Sequence, residues 1–118
     1  MSAPANVLML CDDLIFYSRV MGTARALGQT AAQFRSAKAL AEAARQHPPA
    51  IAILDLQHEG LDLPALLAEL RQLASPPRVV GFGSHVEAET LRAARDAGCD
   101  QVLPRSKFVK ELEEILKS

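Results

Sequence analysis

The chain has 118 residues, of which 49% are hydrophobic and 23% are charged, and its formal net charge is -1. This is the size of one domain that buries a core without disulfides or metals, so we expect a single domain over residues 1–118. A charge so close to zero gives no attraction to nucleic acid or to an anionic membrane. No apolar stretch approaches the ~20 residues of a transmembrane helix.

The start of the chain and its cysteines indicate the compartment. The first four residues, Met1-Ser2-Ala3-Pro4, lack the basic and apolar segments of a secretory leader. Cys11 and Cys99 lie in apolar surroundings and do not have the spacing of metal ligands. We therefore expect a cytoplasmic protein with two reduced thiols.

The first half of the chain alternates strand and helix signals. Residues 6–11 form an apolar run without alternation, which is typical of a strand covered on both faces. Residues 14–27 predict a helix that ends at Gly28, and residues 30–34 predict a weaker strand. Ser36 is the expected N-cap of the second helix.

The same alternation continues in the second half. Residues 51–54 predict the third strand, and a loop over 56–61 precedes a helix with an apolar stripe. The stripe consists of Leu63, Leu66, Leu67, Leu70 and Leu73. Residues 78–82 predict the fourth strand, and residues 101–103 predict a short fifth strand.

Two further helix starts are predicted from serines. Ser84 and Glu87 form a capping box for a helix over 85–97, which Gly98 ends. The expected inward residues of this helix are Val86, Leu91 and Ala94. Ser106 is the expected N-cap of the last helix, whose buried residues should be Phe108, Leu112 and Ile115.

Five alternating β-α units predict a parallel sheet between two layers of helices. This is a three-layer α/β arrangement, doubly wound and flavodoxin-like, with strand order 2-1-3-4-5. Asp12 and Asp13 follow the first strand and Asp55 ends the third, so the three carboxylates should meet in the crevice between those strands. Converging carboxylates hold hard cations such as Mg²⁺, and one of them can accept a phosphoryl group.

With these residues in place, the whole chain resembles the receiver domain of bacterial response regulators, the CheY-like fold. Residues 97–103 (AGCDQVL) match the family's passage before the fifth strand. The resemblance implies that Asp12 and Asp13 help to bind magnesium, with Asp55, and that Asp55 is the phosphoacceptor. The chain also resembles the single-domain members of the family, which act by binding other proteins.

The chain departs from the family at four positions. Arg105 stands at the position of a Lys, and Ser106 replaces the proline that usually follows. An arginine is longer, planar and forked, so its contact with a phosphate would differ. The family carries a Thr or Ser at the end of strand four. Alignment without gaps places Gly83 at that position, and a shift of one residue places Ser84 there. Val102 occupies the aromatic switch position.

Each candidate also has a simpler interpretation. Asp12 and Asp13 are residues that favour the start of a helix, Asp55 would cap a turn at the end of its strand, and Ser84 would serve as a helix cap. Arg105 would neutralise the acidic cluster as a structural ion pair. His85 would be an exposed helix-start residue, and the other two histidines, His47 and His58, read as solvated loop residues.

Three functional hypotheses remain at this point. The first is an atypical receiver in a two-component phosphorelay, phosphorylated by a sensor histidine kinase or phosphotransfer protein and acting on a downstream protein. It would not be an enzyme, except that it would catalyse its own phosphoryl transfer and dephosphorylation. The second is a pseudo-receiver that binds proteins without phosphorylation, which the apolar residues 14–17 at the crevice favour. The third is a small flavin or cobalamin carrier.

The resemblance also suggests a surface for self-association. A homodimer would form through the fourth helix, the fifth strand and the last helix. Pro104 limits the addition of further strands beside strand five.

Overall fold

The computed structural model describes residues 5–117, so the expectation for residues 1–4 lies outside the described part of the chain. The strands are β1 (Val7–Leu10), β2 (Ala31–Phe34), β3 (Ile51–Asp55), β4 (Arg78–Gly83) and β5 (Gln101–Pro104). The helices are α1 (Leu14–Ala26), α2 (Ala37–Gln46), α3 (Leu63–Arg71), α4 (Ala88–Ala97), α5 (Arg105–Lys110) and α6 (Leu112–Lys117).

The five strands form one parallel sheet in the order β2-β1-β3-β4-β5, which confirms the predicted topology. All four residues of β1 are buried, since this strand has neighbours on both sides and helices on both faces. The residues of the edge strand β2 are only half-buried.

Across the described residues, no helix is long and apolar enough to cross a membrane.

The core has one layer on each face of the sheet, because successive side chains of a strand point to opposite faces. Val7 and Met9 contribute to the layer under α1, α5 and α6, whereas Leu8 and Leu10 contribute to the layer under α2 and α3. The helix α4 packs on Leu56 and Val102 through Leu91 and Ala94, as predicted for these two helix residues.

The start of α4 differs from the prediction. The helix begins at Ala88, and Glu87 occupies the N-cap position without a side-chain hydrogen bond. Ser84 instead closes a turn, because its Oγ accepts from the N–H of Val86 at 3.3 Å and its carbonyl accepts from the N–H of Glu87 at 3.0 Å. The predicted capping box and the inward position of Val86 were therefore wrong, since Val86 is 72% exposed.

The last helix also differs from the prediction. It begins at Arg105, directly after β5, and Pro104 occupies the N-cap position. Ser106 therefore lies in the first turn and is not the cap. The helix divides at Glu111 into α5 and α6, and Phe108 is buried as predicted.

Side chains from distant segments bind the end of α6. The amide of Gln29 donates to the carbonyl of Leu116 at 2.7 Å, and the guanidinium of Arg78 donates to the carbonyl of Ile115. The last carbonyls of a helix lack intrahelical partners, so these two bonds satisfy groups that the helix leaves open.

Candidate functional site at the carboxyl edge of the sheet

The strand register places the predicted acids at one edge of the sheet. Leu10 of β1 lies beside Leu54 of β3, and Asp55 ends β3 in register with Phe82 of β4. Asp12 and Asp13 follow β1 at the same edge. The carboxyl ends of β1 and β3 flank the point where the strand order reverses, which is where open parallel sheets bind ligands.

Asp13 is held as the N-cap of α1. Its Oδ1 accepts from the N–H of Phe16 at 2.9 Å, and its backbone is extended. This bond satisfies one of the free N–H groups of the first helical turn. The capping interpretation is therefore confirmed for Asp13, and it orients this carboxylate toward its own helix.

Asp12 has a different partner, His58. The Nε2 atom of His58 lies 3.3 Å from Oδ1 of Asp12. The imidazole is only 10% exposed, whereas the Asp12 side chain is 63% exposed. The prediction that His58 is a solvated loop residue was therefore wrong.

The loop after β3 explains the burial of His58. Its N–H donates to the carbonyl of Asp55 at 3.1 Å, and its carbonyl accepts from the N–H of Leu61 at 3.2 Å. His58 thus ends one tight turn and begins the next. The second turn contains Gly60 at φ 76°, a conformation that glycine adopts without strain.

Asp55 is connected to the loop after β4 through Gln57. Oδ1 of Asp55 accepts from the N–H of Gln57 at 3.0 Å, and Oε1 of Gln57 accepts from the N–H of Ser84 at 2.7 Å. These bonds join the ends of β3 and β4. Sequence analysis missed Gln57, although its place two residues after a strand-terminal Asp was a signal for it.

This connection gives a direct prediction for Gln57→Ala. Loss of the Oε1 acceptor should speed hydrogen exchange at the Ser84 amide about fivefold, the factor expected for one partly exposed hydrogen bond. Amide exchange followed by NMR measures this rate. The matched variant Gln57→Glu keeps an acceptor and should retain protection. Equal Ser84 exchange rates in wild type and Gln57→Ala would contradict the connection.

Arg105 lies on aromatic rings. Its guanidinium carbon is 5.0 Å from the ring centroid of Phe16 and 5.5 Å from that of Phe82. Both distances are in the range of cation–π attraction. No ion pair among residues 5–117 includes Arg105, so the rings take the place of the expected structural ion pair.

A shallow cleft of about 320 Å³ brings Arg105 and Ser84 together. His85, Ser106 and Val109 complete its lining. His85 is exposed, as expected, but it lies in the turn before α4 and not in the helix. Three of the positions discussed as departures from the family pattern, Ser84, Arg105 and Ser106, therefore line the same cleft.

The charges of the site affect the pKa of the buried Cys11 thiol. Burial raises the pKa of this thiol, and the nearby carboxylates of Asp55 and Asp13 raise it further. A hydrogen bond with the backbone of Asp13 and the positive charge of Arg105 lower the same pKa. Both signs of charge therefore act on this one buried thiol, as expected where acids and Arg105 share one crevice.

The donor chemistry of the site suits magnesium, but the arrangement is incomplete. Mg²⁺ takes oxygen ligands, often one or two carboxylates together with several waters. The carboxylates of Asp12, Asp13 and Asp55 supply such oxygens. Among the residues that the structure describes, however, no three His, Cys, Asp or Glu side chains lie close enough together to hold a metal.

Two large apolar side chains border the site at the start of α1. Leu14 is 59% exposed and Ile15 is 85% exposed, whereas Phe16 and Tyr17 are buried. This confirms the expectation that part of the 14–17 segment lies at the rim. We call Leu14 and Ile15 the apolar rim.

Comparison with solved structures identifies the fold. The receiver domain of the putative response regulator NarL from Mycobacterium tuberculosis is 21% identical, with a TM-score of 0.78 over 98% of this chain and 95% of that chain. The receiver domain of NtrX from Brucella abortus is 22% identical, with a TM-score of 0.79 over 94% of both chains. A response regulator from Hahella chejuensis is 13% identical, with a TM-score of 0.81 over 94% of this chain and 91% of that chain.

These likenesses define the chain as having the receiver-domain fold of response regulators. Comparison with family models and with curated proteins gave no match. At these identities the likeness establishes the fold, and the activity has to be argued from the site.

Proposed function

We propose that the protein is an atypical receiver domain of a two-component phosphorelay and that Asp55 is its phosphoacceptor. One observation carries the proposal. Asp55 ends β3 at the reversal of strand order, at the same edge as Asp12 and Asp13, within a receiver fold. The proposed donor is a phosphohistidine on a sensor histidine kinase or a phosphotransfer protein, and the proposed compartment is the cytoplasm.

In the proposed reaction, a carboxylate oxygen of Asp55 attacks the phosphorus of the phosphohistidine. The new O–P bond makes an acyl phosphate, the P–N bond breaks, and the leaving imidazole takes up a proton. The Gln57 N–H holds Oδ1 of Asp55, so Oδ2 is the oxygen that we assign as the nucleophile. Magnesium bound by Asp12, Asp13 and Asp55 would neutralise charge on the transferring phosphoryl group.

The proposed response begins at the Ser84 amide and Arg105. A phosphate on Asp55 adds negative charge and strong acceptor oxygens. These oxygens would compete with Oε1 of Gln57 for the Ser84 N–H, and their charge would attract the guanidinium of Arg105. The loop after β4 would then rearrange and change the surface formed by α4, β5 and α5, where a downstream protein or a second copy would bind.

Intact mass spectrometry tests the proposal. We expect one phosphate adduct after incubation with magnesium and acetyl phosphate, and none for Asp55→Asn or with magnesium removed by a chelator. The variant Asp62→Asn is a matched control, because the carboxylate of Asp62 also accepts from a backbone N–H but lies outside the site, and it should form the adduct. Absence of the adduct in the folded wild type would refute phosphoryl acceptance.

The apolar rim favours a second candidate, a pseudo-receiver that binds a protein without phosphorylation. Exposed apolar side chains that adjoin one another are typical of protein-binding surfaces. In this case Leu14→Ser with Ile15→Ser would abolish binding of the partner, whereas Asp55→Asn would leave it unchanged. For the phosphorylated receiver, the same Asp55 variant would change partner affinity under phosphorylating conditions.

A further inference from the structure

We infer that the rings of Phe16 and Phe82 position the guanidinium of Arg105 to bind a phosphoryl group, and that they are the reason for an arginine at this place. The inference rests on the proposed function and names the positioning residues for its phosphate contact. The guanidinium carbon lies 5.0 Å from the ring centroid of Phe16 and 5.5 Å from that of Phe82. Attraction to ring faces uses the positive charge of the guanidinium and not its hydrogen-bond donors, which remain available for an anion.

Arg105 is held differently from three other arginines of the chain. Arg71, Arg78 and Arg95 each donate a hydrogen bond to a backbone carbonyl. Within residues 5–117, the guanidinium of Arg105 makes neither a hydrogen bond nor an ion pair. The two rings therefore hold this side chain, and its N–H groups are left for an incoming acceptor.

The sheet places the proposed phosphoacceptor beside these rings. Asp55 of β3 is in register with Phe82 of β4. Alternation along β3 puts Asp55 on the same face as Ile53, and Ile53 and Phe82 belong to the same core layer. The guanidinium over Phe82 therefore lies next to the strand position of Asp55. The charges of Asp55 and Arg105 also act on the same thiol, that of Cys11.

Hydroxyl groups complete the donor set around Arg105. Ser84 and Ser106 line the same cleft as the guanidinium. The Oγ atom of Ser84 accepts from the N–H of Val86, so its own proton is free to be donated. A forked cation beside hydroxyl donors is a combination that suits the several acceptor oxygens of a phosphate.

The rings also explain why an arginine is suited to this position. Phe16 packs on Phe82 with a centroid distance of 4.8 Å, and its backbone N–H is bound by Asp13 at the start of α1. Both rings are buried, so the surface that they offer to Arg105 is fixed. A guanidinium is planar and weakly hydrated and stacks on such a surface, whereas the ammonium of a lysine is compact and strongly hydrated.

The experiment is a titration with inorganic phosphate in an Asp55→Asn background, followed by the Nε–H signal of Arg105 and the backbone amide of Ser84 in NMR spectra. No phosphodonor is present, and this background lacks the acceptor carboxylate. We expect Phe16→Leu to weaken phosphate binding about fivefold, the factor of one cation–π contact. The ring of Phe16 shields protons above it, so the Nε–H signal should also move downfield in this variant.

Phe108→Leu is the matched control for the loss of a ring. Phe108 belongs to the same ring cluster, at 5.0 Å from Phe82 and 5.7 Å from Phe16, but Arg105 lies over the other two rings. Its replacement should leave the phosphate affinity and the Nε–H signal of Arg105 unchanged. Thermal unfolding of each variant confirms that it is folded.

A double-mutant cycle separates positioning from a merely structural role of the ring. Arg105→Lys should weaken phosphate binding about fivefold, because the lysine keeps the charge and loses the contact with the rings. Adding Phe16→Leu to Arg105→Lys should then cause little further loss, since the ring acts through the guanidinium. Two independent effects would multiply instead.

Four results would overturn the inference. The first is an unchanged affinity in Phe16→Leu, and the second is an equal loss in Phe108→Leu. The third is a full further loss in the double variant, which would make the ring effect structural. The fourth is the absence of saturable phosphate binding in all of the proteins. The titration is independent of phosphorylation, so the expected affinities together with no phosphate adduct on the wild type would refute the proposed function alone.

Discussion

Phe108→Ala should lower the free energy of unfolding by about 4 kcal/mol, measured by urea unfolding followed by circular dichroism. The Phe108 ring is fully buried and stacks on Phe82 with a centroid distance of 5.0 Å. It also lies 5.7 Å from the ring of Phe16. The change removes most of a large side chain from a packed layer, and the loss adds a cavity to the cost of the missing contacts.

The matched control is Phe34→Ala. Phe34 is half-buried on the edge strand β2, so its replacement should lower the free energy of unfolding by only about 1 kcal/mol. Domains of this kind have a total stability of about 5–15 kcal/mol, so the Phe108 variant should remain folded but marginal. Equal losses in the two variants would contradict the packing described for the Phe16, Phe82 and Phe108 rings.

Cys99 should react about tenfold more slowly with a disulfide reagent at pH 8 than the same residue in the unfolded chain, because its smaller thiolate fraction outweighs the higher nucleophilicity of a more basic thiolate. Burial raises the pKa of this thiol from 9.0 to about 11, with a smaller contribution from Asp100, while Arg71 lowers it. The thiolate is the nucleophile, so a higher pKa leaves less of the reactive form. The reaction rate should therefore continue to rise with pH until about pH 11.

The Cys11→Ala variant isolates Cys99 as the one remaining thiol of the chain. Reaction with Ellman's reagent is measured in buffer and in urea, which supplies the unfolded reference. The same pKa also predicts that stability falls as pH rises from 9 to 11, because the unfolded chain ionises first. Similar rates in the folded and unfolded states would contradict the raised pKa of this partly buried thiol.

The fold was predictable because local patterns and global topology agree in this chain. The apolar run at residues 6–11 and the stripe in α3 indicate a buried strand and a packed helix, and short connections between alternating strands and helices leave few strand orders, one of which is observed. The start of α4 was not predictable from Ser84 and Glu87, since the capping pattern competed with a turn. The turn is what forms in the structure, and Val86 is exposed to solvent as a result.

The acids of the site were predictable, but their partners were not. Strand ends indicate where Asp12, Asp13 and Asp55 lie, because a parallel sheet aligns its carboxyl edge. The contacts of Gln57 and His58 depend on the path of the loop after β3. That path is set by backbone turns and by neighbours 27 and 46 residues away, which a local pattern does not reveal.

The anchoring of α6 bears on the order in which the domain folds. Its two terminal carbonyls are bound by Gln29 and Arg78, which lie 87 and 37 residues earlier in the chain. Contacts across such separations must overcome loop-closure entropy. Both bonds need β2 and β4 in their places in the sheet, so we expect α6 to dock after those strands have assembled.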